Sequence, residues 1–225
     1  IQAGTLTESQ QDLSSSDTPY TLGFRKYMRI LNQSGIGAGA AQYAEIDQRI
    51  EAQDVAQSGW NYTSSSSFIT LSFWVRASVA QAYVAVVYTN DGTQRHYPFE
   101  IKDSGGSTLS ADTWTKITKT IPGDSGITVS NDSGNGLTLS FIASYGTNYT
   151  SDSGNFDAWN TTGGGTNRWP DMTTTWATTT NATFDITGVQ LEVGSQATAF
   201  EHRSFGDELA LCQRYYCHTY SYGVY

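Results

Sequence analysis

The sequence has few positive charges, few cysteines and no long apolar run. Of its 225 residues only 12 are Lys or Arg, against 21 Asp or Glu, which gives a net charge of −9. A nucleic-acid partner is not expected, because phosphate backbones are bound by clustered Lys and Arg. Insertion into a membrane is not expected either, since a spanning helix needs about 20 mostly apolar residues. The two cysteines, Cys212 and Cys217, are too few for a disulfide framework.

Hydroxyl and aromatic side chains are abundant instead. The chain contains 30 Thr and 25 Ser, and 13% of its residues are aromatic while only 15% are charged. Disordered chains show the opposite balance, with few aromatics and much charge. Helical bundles are rich in Ala, Glu, Lys and Leu, whereas Lys is scarce here. The composition therefore favours a folded, β-rich domain.

Short segments of alternating apolar and polar residues predict the strands. The clearest is 68–77, where every second residue from Ile69 to Ala77 is apolar. Asp91-Gly92 predicts a hairpin turn, and Gly188 stands where the apolar phase of the last strand shifts, which predicts a β-bulge. Strands are expected at 20–31, 42–52, 68–77, 83–88, 94–101, 114–121, about 137–143 and 183–193.

Eight or nine such strands predict an all-β fold, an antiparallel jelly-roll β-sandwich. A short N-terminal arm and a truncated or extended C-terminal strand are expected to flank it. The predicted divisions are an N-terminal linker or arm at 1–19, the sandwich at 20–207, and an exit segment at 208–225 that leads to further β-structure.

Several segments together resemble a known family. The chain is similar to the jelly-roll domain, akin to carbohydrate-binding modules, that occurs in tail fibres and other virion structural proteins of tailed phages, many of them marine. The resemblance spans about residues 20–216, and its last segment is the most specific. The segments that carry it are 69–78 (ITLSFWVRAS), 112–116 (DTWTK) with 121–123 (IPG), 186–194 (ITGVQLEVG), 200–203 (FEHR) and 208–216 (ELALCQRYY).

The resemblance implies a location on the exterior of the phage particle and contacts with other virion proteins. It also implies a homotrimer, since chains of such fibres are commonly trimeric. Host-surface glycan is a further expected partner, and no cofactor is implied.

A long segment between the last two predicted strands, residues 144–181, is the candidate glycan-contacting region. It combines aromatic rings, which stack on the C–H faces of sugars, with amide, carboxylate and guanidinium groups for the hydroxyls. In the alternative reading, its Trp residues plug the open end of the sandwich or pack at a subunit contact. The candidate residues are Tyr145, Asn148, Tyr149, Asp152, Trp159, Arg168, Trp169, Asp171 and Trp176.

Two other kinds of site have weaker support. Glu45, Asp47 and Asp185 are possible ligands of a structural Ca²⁺, although no calcium-binding motif is present and no metal site is predicted. No nucleophile elbow, metalloprotease motif, P-loop or dinucleotide fingerprint occurs, so the protein is not expected to be an enzyme.

The leading functional hypothesis is a tail-fibre or tail-tip domain that adheres to host-surface glycan. One alternative is a purely structural role as a capsid decoration, cement, head-fibre or tail-adaptor protein. Another is a carbohydrate-binding module attached to a secreted hydrolase.

Overall fold

The computed structural model of the protein describes residues 6–151, 155–161 and 169–215. Most of the regular structure in these ranges is β-strand. The strands are β1 (Leu6–Asp12), β2 (Lys26–Asn32), β3 (Tyr43–Glu51), β4 (Phe68–Ala77), β5 (Tyr83–Thr89), β6 (Arg95–Ile101), β7 (Thr115–Pro122), β8 (Asn135–Tyr145), β9 (Thr150–Ser151), β10 (Asn160–Thr161), β11 (Trp169–Pro170) and β12 (Ala182–Val193). The same ranges contain the short helices α1 (Thr18–Thr21), α2 (Ala52–Ala56), α3 (Thr175–Thr178) and α4 (Phe205–Gln213).

Two five-stranded sheets form a sandwich. The first sheet has the order β1-β2-β12-β4-β7, and the second has the order β10-β6-β5-β8-β3. Every strand pair within these two sheets is antiparallel, while β9 and β11 form a small separate parallel pair. The predicted all-β, jelly-roll-like sandwich is confirmed.

The main core lies between the two sheets and follows the alternation of the sequence. Ile69, Leu71, Phe73, Val75 and Ala77 of β4 all point inward and are at most 3% exposed. They meet inward-facing residues of β5, β6 and β8 in one continuous cluster. Burial of apolar side chains at this density is the main source of stability.

Two glycines shape the strands as predicted. Gly92, in the five-residue loop 90–94 between β5 and β6, has a φ of +61°, a left-handed conformation that glycine adopts without strain. Gly188 has a φ of +62°, and the register of β12 against β4 shifts between Thr187 and Gln190. A Cβ atom at Gly188 would lie 2.7 Å from the Phe24 ring, so this bulge also leaves room for an aromatic neighbour.

The N-terminal segment differs from the predicted linker or arm at 1–19. Residues 6–12 form β1, which pairs with β2 along its whole length at the edge of the first sheet. The sequence analysis did not predict β1, because its residues are mostly polar. An edge strand of this kind is stabilised by its ladder hydrogen bonds and needs few apolar residues. Residues 1–5 lie outside the described ranges.

The beginning of the predicted exit segment is helical, since residues 208–213 belong to α4. Ser204 caps this helix by accepting a hydrogen bond from the Asp207 backbone N–H, and Asp207 and Glu208 complement the dipole in the first turn. All residues of α4 are exposed. The expected β-structure at 216–225 lies outside the described ranges. Among the described helices, none has the length and apolar character needed to cross a bilayer.

An ion network organises the outer face of the first sheet. The Asp185 side chain is completely buried and accepts two hydrogen bonds from Arg29, at 2.7 and 2.8 Å, and one from Arg76 at 3.0 Å. The Arg76 guanidinium lies over the Trp114 ring at 4.7 Å and donates to the Tyr27 hydroxyl. This network joins β2, β4 and β12, the three central strands of the sheet.

We expect Asp185→Asn to lower the free energy of unfolding by about 3–5 kcal/mol, because it removes the buried counter-charge shared by Arg29 and Arg76 and leaves Arg76 with its longer, 3.5 Å pair to Asp17. Chemical denaturation of the purified chain measures this. The matched control is Asp12→Asn, which removes the exposed Lys26–Asp12 ion pair and should cost less than about 1 kcal/mol. Equal losses in the two variants would contradict the assigned role of Asp185.

Candidate functional site

Of the nine candidate residues from 144–181, the seven that the structure describes do not form one surface. Asp152 and Arg168 lie outside the described ranges. Asn148 and Asp171 are exposed, the first in the loop between β8 and β9 and the second directly after β11. The three aromatic residues Tyr145, Tyr149 and Trp169 meet on the outer face of the second sheet.

Trp176 and Trp159 lie away from these three aromatic residues. Trp176 is 0% exposed within the main core, and its backbone N–H donates to Gln81 Oε1 at 2.7 Å. Trp159 is partly buried, packs on Tyr97, and donates its indole N–H to the Pro122 carbonyl at 2.7 Å. For Trp176 the structure favours the alternative reading, in which the indole fills the interior of the sandwich.

The aromatic cluster on the second sheet, here called the tyrosine face, consists of Tyr43, Tyr88, Tyr145, Tyr149 and Trp169. The ring centroids of Tyr43, Tyr145 and Tyr149 are 5.3–5.7 Å apart. Tyr43, Tyr88 and Tyr149 are half-buried, so part of each ring faces solvent, whereas Tyr145 is buried. Stacking at these distances fixes the rings in place before any ligand arrives.

Trp169 supports this face from beneath and does not present its own ring. It is 4% exposed, stacks on Tyr145 at 6.4 Å, and lies 5.6 Å from Tyr88. Its other neighbour is His96, whose ring meets it edge to face at 5.3 Å. Burial lowers the pKa of His96 to about 4, so this imidazole is neutral at pH 7 and acts as a packing group. The Trp169 ring is therefore covered by its neighbours and offers little surface of its own to a ligand.

A half-buried carboxylate lies beside the tyrosines. Glu45 Oε2 accepts hydrogen bonds from the Tyr145 hydroxyl at 2.6 Å and from Ser140 Oγ at 2.7 Å. Burial and the nearby charge of Asp47 raise the pKa of Glu45 above its ordinary value. Burial, followed by the charge of Glu45, also raises the pKa of Tyr145, so its hydroxyl stays protonated and donates.

The outward positions of β3 extend this polar group along the edge of the sheet. Asp47 and Arg49 are exposed and lie directly opposite Ser140 and Thr138 of β8. Thr138 in turn lies opposite Tyr88 of β5. Burial and the charge of Asp47 raise the pKa of Tyr88. Arg49 of β3, Thr138 of β8 and Tyr88 of β5 thus form one row across the outer face of the second sheet.

Sequence reasoning found only part of this surface. The common phase of Tyr43, Glu45, Asp47 and Arg49 is visible in the predicted strand at 42–52. The contribution of Tyr88 was missed, because its place beside β3 depends on the intervening strand β8. The alternation of β5, which sends Tyr88 to the outer face, is the signal that would have indicated it.

The three possible calcium ligands are not brought together. Glu45 and Asp47 lie on the second sheet, whereas Asp185 lies on the first sheet and is engaged by Arg29 and Arg76. Within the described ranges, no group of three or more Asp, Glu, His or Cys side chains is arranged to hold a metal ion. Asp185 is therefore separated from Glu45 and Asp47 by the thickness of the sandwich.

The geometry suits a neutral, hydroxyl-rich ligand with apolar faces. Half-exposed tyrosine rings offer flat apolar surface, while the Asp47 carboxylate accepts and the Arg49 guanidinium donates hydrogen bonds at its margin. A pyranose ring has this combination of C–H faces and equatorial hydroxyls.

The raised pKa of Glu45 generates a prediction for stability. The folded state holds the Glu45 proton more tightly than the unfolded chain, so this stabilising contribution is present at low pH and is lost as pH rises through the folded pKa. We expect Glu45→Gln, which keeps an acceptor for Tyr145, to gain stability relative to the unmodified protein between about pH 4 and pH 8. Thermal unfolding of both proteins across this range measures the difference.

Glu100→Gln is the control for that series, because Glu100 is paired with Lys102 on the same sheet face. Its stability difference from the unmodified protein should not follow the pH trend of Glu45→Gln. A pH-independent difference for Glu45→Gln would contradict the raised pKa.

No known family matches the sequence. No curated protein matches it either.

Three solved structures resemble the chain in fold. One is the enzymatically active domain of tailspike protein 4 of bacteriophage CBA120, with 10% identity and a TM-score of 0.37, covering 84% of this chain and 19% of that one. Another is a candidate sugar-binding protein from Bacteroides thetaiotaomicron, with 17% identity and a TM-score of 0.39, covering 85% and 83%. The third is SGBP-B from a complex xyloglucan utilization locus in Bacteroides uniformis, with 10% identity and a TM-score of 0.41, covering 86% and 46%.

The chain therefore spans about a fifth of the tailspike structure and less than half of SGBP-B. The assignment of the β-sandwich rests on the strand order and register of the chain itself.

Proposed function

We propose that this chain is a non-enzymatic carbohydrate-binding β-sandwich whose tyrosine face contacts the glycan. The observation that carries the proposal is the row of half-exposed rings at Tyr43, Tyr88 and Tyr149 beside the charged edge at Asp47 and Arg49. Rings held by stacking lose little conformational freedom when a sugar binds, which lowers the cost of binding.

Within this proposal, Glu45 positions the site. Its two hydrogen bonds fix the hydroxyls of Tyr145 and Ser140, and Tyr145 supports Tyr43 and Tyr149 from below. Tyr88 and Asp47, on either side of β8, are the residues proposed to touch the sugar. Binding without bond cleavage is the proposed activity.

We further propose that the domain belongs to the exterior of a tailed-phage particle, as part of a tail fibre or tail tip that adheres to host-surface glycan. The support for this step is the resemblance carried by segments 69–78, 186–194 and 208–216. A homotrimeric arrangement with other virion proteins would present several weak sites at once, and the resulting avidity needs no additional contact.

A glycan array probed with the chain, immobilised as multivalent particles, tests the binding. We expect Tyr88→Ala to weaken binding at least tenfold, because a stacking surface is removed, whereas Tyr88→Phe keeps the ring and most of the affinity. Tyr20→Ala is the matched control, since Tyr20 is a half-buried tyrosine over the first sheet.

All three variants should be compared by thermal unfolding, so that a loss of fold is distinguished from a loss of contact. Unchanged binding by folded Tyr88→Ala would place the glycan elsewhere and contradict the proposed site.

The location on the particle is tested separately, by gold-labelled antibody against this chain on intact phage viewed by electron microscopy. We expect gold at the distal tail. Gold over the head would instead support the structural alternative, a decoration or head-fibre protein, and contradict the adhesion role.

A further inference from the structure

A second candidate binding site lies on the other side of the sandwich. A cavity of about 340 Å³ opens on the outer face of the first sheet, next to the bulge at Gly188. This volume lies within the range of small-ligand pockets, about 300–1,000 Å³. We call it the Trp74 groove; its main lining residues are Ser72, Trp74, Lys116, Phe24, Phe200 and His202.

The floor of the groove brings an aromatic ring and a cation together. Trp74 of β4 is paired directly with Lys116 of β7, and on its other side with Thr187 of β12. Residues paired in this way have Cβ atoms about 4.5–5.5 Å apart on the same face of the sheet. Trp74 is half-buried and Lys116 is exposed, so both reach the open space of the groove.

The wall is rigid and aromatic. The rings of Phe24, Phe200 and His202 contact one another, with centroids 4.7–5.1 Å apart. His202 Nε2 is 3.0 Å from the Leu22 carbonyl oxygen, which ties the chain after β12 to the loop before β2. The bulge at Gly188 leaves the space that the Phe24 ring needs. The groove is therefore formed in advance by packed side chains.

The charge of Lys116 stands out in this acidic protein. The chain has four lysines, and three of them, Lys26, Lys102 and Lys119, form ion pairs within the described ranges. Lys116 forms none there within 4 Å, although its charge contributes to lowering the pKa of Glu192. A net charge of −9 makes an accessible lysine beside an indole an unusual feature of this surface.

We propose that the Trp74 groove binds one pyranose ring that carries an anionic substituent, a carboxylate or a sulfate. The C–H face of the sugar lies on Trp74, the anion meets the Lys116 ammonium group, and Ser72 contributes a hydroxyl to the lining of the groove. This site is independent of the proposed function of the tyrosine face, because the two lie on different sheets.

The test is a titration of the full chain, followed by the indole N–H signal of Trp74 in ¹H–¹⁵N spectra, assigned by its loss in Trp74→Phe. The probes are glucuronic acid, glucose 6-sulfate and, as the neutral control, glucose. We expect at least one anionic sugar to shift the Trp74 signal and to bind about tenfold more tightly than glucose, as a charge-assisted contact provides. The stronger of the two anionic probes identifies the substituent.

Two lysine variants on β7 test whether binding in the groove depends on the charge of Lys116. Lys116→Ala, an exposed change that should leave the fold intact, is expected to reduce the affinity for the anionic sugar about tenfold. Lys119→Ala is the matched control, because Lys119 lies on the same strand but pairs with Asp157. Unchanged affinity in Lys116→Ala, or no shift of Trp74 with either anionic sugar, would overturn the proposal.

Tyr88→Ala, measured with the same probes, keeps the two proposals distinguishable. If Tyr88→Ala abolishes binding of the anionic sugar while Lys116→Ala does not, the sugar binds at the tyrosine face and the groove is not a site. If Tyr88→Ala leaves the Trp74 titration unchanged, binding in the groove is independent of whether the tyrosine face binds glycan.

Discussion

Alternation of side chains along each strand is the constraint on which the structure depends. In a two-sheet sandwich, every second residue of a strand enters the shared core, and the residues between them must find partners on the outside. The inner positions of β4, β5 and β8 form one apolar cluster. The outer positions are not simply left to water, because loops and neighbouring segments cover much of both outer faces.

Each outer face contains a carboxylate that is at least half-buried, and the two carboxylates differ in the partners that surround them. Asp185 on the first sheet forms ion pairs with the guanidinium groups of Arg29 and Arg76, and these pairs compensate its charge. Glu45 on the second sheet accepts hydrogen bonds from two hydroxyl groups, and burial together with the charge of the neighbouring Asp47 raises its pKa. A carboxylate compensated by two guanidinium groups serves stability, whereas a half-buried carboxylate held by hydroxyl groups beside a like charge costs stability. Retaining such a carboxylate is expected where a surface serves binding.

The strands that were predicted well are those whose pattern is local. The alternation of 68–77, the Asp91-Gly92 turn and the glycine at the phase shift of β12 each follow from a few neighbouring residues. The edge strand β1 was missed because its residues are polar. It is a strand because it pairs with β2, and composition does not reveal such a pairing. The helix α4 was not predicted, because all its residues are exposed and its main sequence signal is the single Ser204 cap.

The same distinction explains the candidate site. The polar phase of β3 was visible in the sequence, but the proximity of Tyr88 depends on a register that runs through β8. The three indoles of 144–181 look equivalent in the sequence, yet Trp176 fills the core, Trp169 supports the tyrosines and Trp159 packs on Tyr97. Burial of a given tryptophan is decided by tertiary contacts, so residue type alone could not assign the one that faces a ligand.

The opposite placement of the two proposed sites limits how they can act together. The sheets of a sandwich are about 10 Å apart, and the tyrosine face and the Trp74 groove look away from each other across that thickness. A short oligosaccharide therefore cannot reach both sites on one copy of the chain. Joint binding requires either a long polymer that wraps around the domain or separate glycans on its two sides. In both cases the gain in affinity comes from effective concentration, so it depends on the spacing of copies as much as on any contact within one of them.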